Sequence, residues 1–193
     1  RVAKGGHDIP EEDVRRHYAE RFTALQAVLP YVNEAVFFDN ENGFVEVAEY
    51  RNGELLPKGN YRPAWLEELL RALHFFADDQ RVEREADALA SGDMDTFLSL
   101  VRESGRSSWE LLQDITPTGA VREQAMAVAL TIVERALNGR GACRVHGGGF
   151  AGTIQAFVPL DHCAAFRQEV ESMLGAGCCH MLSIRPVGGA VLW

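Results

Sequence analysis

The sequence predicts an α+β fold in which helices pack on antiparallel strands. One observation is a pair of Asn-Gly dipeptides, at 42–43 and 52–53, which separate short apolar runs as hairpin turns do. Another is a set of longer segments in which apolar residues recur at helical spacing. The third is a glycine-rich stretch, residues 147–152, between two strand-like runs. Together they predict a helix and a small β-meander, followed by a lobe of helices on an antiparallel sheet.

The first predicted element is a helix that begins at Pro10. Proline suits the first helical position, and the three acidic residues after it favour the positive end of the helix dipole. Apolar residues then recur at helical spacing, namely Val14, Tyr18, Phe22, Leu25 and Leu29. The meander follows, with strands predicted at 35–39, 43–50 and 54–56.

A long helix is predicted from Pro63, because an apolar stripe starts at Trp65 and continues through Val82 to Leu89. Three shorter helices are predicted at 94–103, 108–115 and 121–138. Ser107 is a candidate N-cap for the second of these, and Gly139 ends the third. The remaining elements are a strand at 142–146, the glycine loop, a strand at 153–158, a helix at 161–174 and a strand at 180–185. That order predicts an antiparallel sheet covered by helices on one face.

The glycine loop contains Gly147, Gly148, Gly149 and Gly152. Consecutive glycines can expose backbone amides to an anion, which makes a phosphate site one hypothesis. A hairpin whose glycines only permit tight packing or a bulge is the other, and the spacing favours neither. A dinucleotide-binding fingerprint is disfavoured, because a strand and not a helix follows the loop. His146 suits a phosphate or sugar hydroxyl but also a structural role, and Arg144 suits a phosphate or, more commonly, a surface carboxylate.

Residues 144–152, Arg-Val-His-Gly-Gly-Gly-Phe-Ala-Gly, resemble the C-terminal glycine motif of galactokinases in the GHMP sugar-kinase superfamily. Other segments follow the order of that family's C-terminal half, namely His74-Phe75-Phe76, Gln80-Arg81-Val82, Ala88-Leu89, Gly92-Asp93 and Ser104-Gly105-Arg106-Ser107-Ser108-Trp109. The resemblance covers residues 71–187 and implies a GHMP-kinase-like C-terminal domain over 71–193. It also implies phosphoryl transfer from ATP, with Mg²⁺, to a galactose-like sugar. The nucleotide-binding residues that it implies are His146, Gly147, Gly148, Gly149 and Gly152.

Residues 1–70 resemble the distal part of zeta-toxin-like P-loop kinases. The segments that carry this resemblance are Arg1 to Pro10, Val14-Arg15-Arg16-His17-Tyr18, Asp39-Asn40, Val47-Ala48-Glu49 and Pro63-Ala64-Trp65-Leu66. In that family a basic lid segment approaches nucleotide phosphates. The resemblance therefore implies a partial zeta-toxin-like segment with a phosphate-facing lid formed by His7, Arg15 and Arg16.

Neither kinase is complete in this sequence. It contains no G-x-x-x-x-G-K-[ST] motif, and it has no N-terminal glycine-serine loop of the GHMP kind. We therefore expect the chain to be inactive alone, with its catalytic residues unknown, and to need an N-terminal half. The alternatives are a non-catalytic module that binds a nucleotide or sugar phosphate, a structural fragment that forms a homodimer through exposed apolar surface, and a remnant of a zeta-toxin-like nucleotide-sugar kinase. A nucleophile among Ser104, Ser107 and Ser108 is disfavoured, because no histidine and aspartate can be assigned beside them.

Composition narrows the classes of partner. The chain has 193 residues and a net charge of −9, which argues against a nucleic-acid or anionic-membrane partner because these attract clustered Lys and Arg. It has no apolar run long enough to span a membrane, so we expect a cytoplasmic protein. The four cysteines form no C-x-x-C pair, which predicts reduced buried thiols and no metal site.

Overall fold

The computed structural model describes residues 10–184, except 42, 52, 53, 118, 120, 123, 150 and 151. It is an α+β structure with antiparallel sheets, as the sequence predicts, and its described residues contain one three-stranded and one two-stranded sheet. The chain divides into two compact units, Arg1–Glu83 and Arg84–Trp193. The division falls within a long helix, as does the boundary at residues 70 and 71 that the family resemblances predict.

The first unit contains a helix and the predicted β-meander. Helix α1 spans Glu11–Val28, so Pro10 caps the helix from outside and does not occupy its first position. A short 3₁₀ turn at Leu29–Tyr31 leads to the strands. Strand β1 is Glu34–Asp39, β2 is Val45–Arg51 and β3 is Glu54–Pro57, and they pair antiparallel in the order β1-β2-β3. Pairing of β1 with β2 shifts between Phe37 and Phe38, as at a β-bulge.

The core of the first unit lies where helix α2, Ala64–Ser91, meets the meander. Leu66 and Leu69 of α2 pack against Val47 and Ala48 of β2, and all four are almost completely buried. Partly buried neighbours complete this cluster, namely Phe22, Leu25, Phe37, Leu55, Trp65 and Leu73. The apolar stripes that predict α1 and α2 therefore supply residues of the same core. Burial of this apolar surface is the main force that holds the unit together.

Asp39 is a buried carboxylate at the end of β1. Its Oδ2 accepts a hydrogen bond from Trp65 Nε1 at 2.7 Å, and its Oδ1 accepts one from the backbone N–H of Glu41 at 2.9 Å. The Tyr61 hydroxyl lies 3.4 Å from Oδ1. The indole N–H first, and the Glu41 amide second, lower the pKa of Asp39 because they stabilise its charged form.

We expect the stability of this protein to fall in acid partly through Asp39. Its pKa is lower in the folded than in the unfolded chain, so its contribution is complete above the unfolded pKa of about 4. The contribution is lost as the pH falls through the folded pKa, because the unfolded chain then binds the proton more readily. Urea denaturation of the wild type at pH 6, 4 and 3 should therefore show a larger loss than that of Trp65→Phe, which lacks the indole donor.

Trp109→Phe is a matched control, because it makes the same chemical change at a half-exposed position of the second unit. Its loss of stability in acid should follow that of the wild type. An identical acid response in Trp65→Phe would contradict the role assigned to the indole hydrogen bond.

Helix α3, Met94–Ser107, begins in the second unit at a well-formed cap. The Asp93 side chain accepts hydrogen bonds from the backbone N–H of Thr96 at 3.0 Å and from its hydroxyl at 2.7 Å. The helix continues without a break into a π-helical turn, Ser108–Leu112, and ends at Gln113, which has a left-handed backbone conformation. The predicted N-cap at Ser107 is therefore wrong: its backbone is helical and its side chain makes no cap hydrogen bond.

Helix α4 spans Ala125–Leu137 and starts later than predicted. Val121 precedes it in a bend and is 85% exposed, so it does not extend the apolar face of the helix. Asn138 and Gly139 end the helix with positive φ, which confirms the predicted stop at Gly139.

The second sheet is a hairpin of β4, Ala142–His146, and β5, Thr153–Phe157, followed by helix α5, Cys163–Leu174. Cys143 and Val145 lie in a buried cluster with residues of α4 and α5, whereas Ala142 packs with Phe97 and Val101 of α3. Since side chains alternate between the two faces of a strand, helices contact both faces of β4. The prediction of a sheet covered on one face is therefore wrong.

The predicted strand at 180–185 does not form over its described part, His180–Ile184. Met181, Leu182 and Ile184 are between 79% and 89% exposed, so this apolar run buries no face against a sheet. Arg185 lies outside the described residues. Among the helices of the described part of the chain, none combines the length and the apolar character that a membrane span needs.

Candidate functional site

The glycine loop connects the two strands of the second sheet. His146 and Thr153 are a register pair, so the loop of residues 147–152 closes directly on the ends of β4 and β5. Gly147 and Gly149 both have φ near +80°, a conformation that glycine adopts without strain. The backbone N–H of Gly152 donates a hydrogen bond to the Gly149 carbonyl at 3.1 Å and so folds the loop back on itself. Phe150 and Ala151 lie outside the described residues.

Among the described residues of the loop, Gly147, Gly148 and Gly152 are exposed, and so is the neighbouring His146. A β-carbon at Gly148 would meet no atom of the described residues within 4 Å, and the φ of Gly148 is not in the left-handed region. Neither packing against the described part of the chain nor backbone conformation therefore requires glycine at position 148. A ligand that approaches the main chain closely would require it.

Unlike Gly148, Gly149 has no room for a side chain, because it packs against the segment that follows the π-helical turn. A β-carbon at Gly149 would lie 2.2 Å from the carbonyl oxygen of Asp114 and 2.8 Å from its carboxyl carbon. Gly152 is also close to the backbone, since its β-carbon would lie 2.9 Å from the carbonyl oxygen of His146. The tight-hairpin hypothesis thus accounts for Gly149 and Gly152, and the phosphate hypothesis is left with Gly147 and Gly148.

Asp114 is the residue beneath the loop, and it is only 6% exposed. Its Oδ1 is buried and accepts no hydrogen bond from any described residue. Gln113 before it has φ of 58°, and Ile115 after it is part of the main core of the unit. The carboxylate is therefore held in place from both sides, yet one of its oxygens has no partner in the described chain.

Arg144 lies in the middle of β4 and connects the hairpin to α3. Its guanidinium donates hydrogen bonds to the hydroxyls of Ser104 and Ser108, the second at 3.4 Å, and its Nε donates to the Val145 carbonyl at 3.2 Å. Both serines are at most 3% exposed. The serine cluster is thus an internal partner of an arginine, which disfavours both the nucleophile and the helix-cap interpretations.

Gly105 allows this approach of α3 to β4. A β-carbon at Gly105 would lie 2.9 Å from the Arg144 β-carbon. The contact fixes α3 against the strand whose end carries the glycine loop.

A cleft of about 350 Å³ opens between α3, α4 and β4. Its charged residues are Arg102, Arg106, Arg144, Glu110 and Glu134, and the rest of its lining is Gly105, Trp109, Leu130 and Cys143. Arg102 donates a hydrogen bond to the Gly141 carbonyl at 2.8 Å. Burial, and then the negative charge of Glu134, raise the pKa of Cys143 to about 12, so this thiol stays protonated and is a poor nucleophile.

The residues predicted to form a lid are described only in part. His7 lies outside the described residues. Arg15 and Arg16 are exposed on α1, where Arg15 Nε donates to Glu11 Oε1 at 2.9 Å and Arg16 lies 2.7 Å from Asp13 Oδ1. Their role as a phosphate-facing lid stays a prediction.

None of the four cysteines forms a disulfide in the structure, and their reduced state stays a prediction. Cys143 is buried as expected, whereas Cys178 is exposed, so the prediction of burial is wrong for that residue. Within the described ranges, no three His, Cys, Asp or Glu side chains group as a metal site would require.

Sequence reasoning missed Asp114 and the Arg144–serine contacts. Asp114 stands 35 positions before Gly149, and nothing in the local sequence connects it to the loop. Ser104, Gly105 and Ser108 were visible as part of a motif, and their helical spacing of one turn could have placed them on one face toward a strand.

Comparison of the chain with protein-family models found no matching family. No solved structure matches it significantly either.

Proposed function

We propose that this chain is the C-terminal part of a galactokinase-like, ATP-dependent sugar kinase, and that its glycine loop binds a phosphate group. One observation supports this more than any other: Gly148 is exposed, and neither its surroundings nor its φ explains the absence of a side chain. The motif resemblance of residues 144–152 supplies the class of reaction. The GHMP-like architecture of the second unit belongs to the same proposal.

The exposed loop suits an anion. Gly147 and Gly148 leave open space above the backbone, and the imidazole of the neighbouring His146 is exposed and can donate a hydrogen bond to a phosphate oxygen. ATP, bound with Mg²⁺, supplies the phosphoryl group in this class of reaction. In this chain Gly147, Gly148 and His146 would hold and orient phosphate, while Gly149 and Gly152 would fix the loop by packing. Residues that activate the sugar hydroxyl would come from an N-terminal half.

A non-catalytic phosphate-binding module is the second candidate. The sequence lacks both the P-loop motif and the N-terminal glycine-serine loop, which favours binding without turnover by this chain alone. The remnant of a zeta-toxin-like kinase and the homodimer formed through apolar surface stay predictions. Saturable binding of nucleotide without hydrolysis would separate the binding module from an active kinase.

Isothermal titration with Mg-ATP and galactose, separately and together, tests the proposal. We expect the wild type to bind Mg-ATP and the Gly148→Asp variant to lose most of that binding, because the added carboxylate repels phosphate at the loop. Ala164→Asp is the control, since it adds the same side chain at an exposed position of α5. Equal binding by Gly148→Asp and wild type, or no heat with any ligand, would overturn the phosphate role of the loop.

A further inference from the structure

Asp114 has a buried carboxylate with one oxygen, Oδ1, that accepts no hydrogen bond from the described residues. The residue is 6% exposed. Buried polar groups in proteins are nearly always paired, and an exception calls for an explanation such as a functional role or an ion. Burying a charge without a partner is costly, so a purely structural role would be served better by an apolar side chain.

The Asp114 carboxylate lies directly against the glycine loop. Its carboxyl carbon lies where a side chain at Gly149 would otherwise stand, one residue from the exposed Gly148. Both backbones take a left-handed conformation at this contact, with φ of 58° at Gln113 and +79° at Gly149. A free phosphate on this loop would therefore bind close to a carboxylate with one unpaired oxygen.

We propose that Asp114 makes the glycine loop selective for phosphate groups that carry a divalent cation. This rests on the proposed phosphate role of the loop. A cation bound to the phosphate reverses the sign of the interaction with Asp114, so the carboxylate attracts a metal–phosphate complex and repels the free anion. Because Asp114 is only 6% exposed, we assign it a role through its charge across the loop and not one as a direct metal ligand. Asp114 is thus a specificity-determining residue.

Titration of ATP with Mg²⁺ and of ATP with EDTA tests this inference in the wild type and in Asp114→Asn. We expect the wild type to prefer Mg-ATP over free ATP more strongly than the variant does, by a factor on the order of ten for one nearby charge. The change should come mainly from tighter binding of free ATP by Asp114→Asn, because its repulsion is removed.

Asp95→Asn is the matched control, because it removes one carboxylate from an exposed position in the first turn of α3. Its preference for Mg-ATP should equal that of the wild type. The thermal midpoint of Asp114→Asn should be close to that of the wild type, which shows that the variant folds, because Oδ1 makes no hydrogen bond that the substitution could break.

The outcomes separate the two proposals. ATP binding with the same Mg²⁺ preference in wild type and Asp114→Asn would overturn the selectivity while leaving the phosphate loop in place. Absence of ATP binding in all variants, with and without Mg²⁺, would overturn the phosphate role and the selectivity together.

Discussion

Replacing Gly149 with alanine should lower the free energy of unfolding by about 2–4 kcal/mol, the sum of steric overlap and a left-handed backbone. A β-carbon there would overlap the Asp114 carbonyl oxygen at 2.2 Å, and the backbone oxygen cannot rotate away as a flexible side chain would. The φ of +79° adds strain for any residue that has a side chain. Urea denaturation followed by circular dichroism measures the change.

Gly148→Ala is the matched control, because it makes the same substitution at the adjacent position. With no atom of the described residues within 4 Å and no left-handed φ, it should change the stability by less than about 0.5 kcal/mol. The loss of stability in Gly147→Ala should lie between these two values. An alanine at its φ of +80° would be strained, but a β-carbon there would meet no atom of the described residues. Similar losses for Gly148→Ala and Gly149→Ala would show that Asp114 does not pack against the loop as described.

The Leu66→Ala variant should lose about 2–5 kcal/mol, the usual cost of deleting a buried leucine side chain. Leu66 is 1% exposed and packs against β2 in the core of the first unit. Its buried neighbours Val47, Ala48 and Leu69 belong to the same cluster, so the substitution leaves a cavity in the packed core of this unit. Thermal or urea denaturation of the full chain, followed by the fluorescence of the nearby Trp65, gives the measurement.

Leu56→Ala is the control, because it deletes the same atoms from a residue that is 44% exposed on β3. Its loss should stay below about 1 kcal/mol, in line with partial burial. A loss as large as that of Leu66→Ala would mean that the outer face of the meander is covered in solution.

Hydrophobic periodicity predicted most of the elements because it reports local geometry directly. The long stripe from Trp65 to Leu89 lies within α2, and the two Asn-Gly dipeptides lie between the strands of the meander. The sequence was less informative at 107–115, because the continuous helix and π-helical turn are stabilised by tertiary contacts of Ser104 and Ser108 with Arg144. Apolar residues at 181–184 resemble a strand, but a strand needs a partner and none pairs with this run in the described chain.

The sequence predicts only those residues of the candidate site that are neighbours along the chain. Four glycines and His146 in one short stretch point to a loop with special backbone requirements. What separates Gly148 from Gly149 is a contact with Asp114, far away in sequence, and no spacing rule relates the two positions. The domain boundary at 70–71 and the lid of His7, Arg15 and Arg16 likewise depend on family resemblance, and they stay predictions.

The π-helical turn at Ser108–Leu112 sets the direction, around the helix axis, in which the following residues Gln113 and Asp114 point. Such a turn holds about one residue more than an α-helical turn, and one residue in an α-helix corresponds to about 100° of rotation. Removing a single residue from this turn would restore regular helical winding, but it would swing Gln113 and Asp114 around the helix axis and away from Gly149. The bulge therefore acts as a spacer: insertions and deletions of one residue between α3 and Ile115 should be tolerated far less well than substitutions at exposed positions of the same turn.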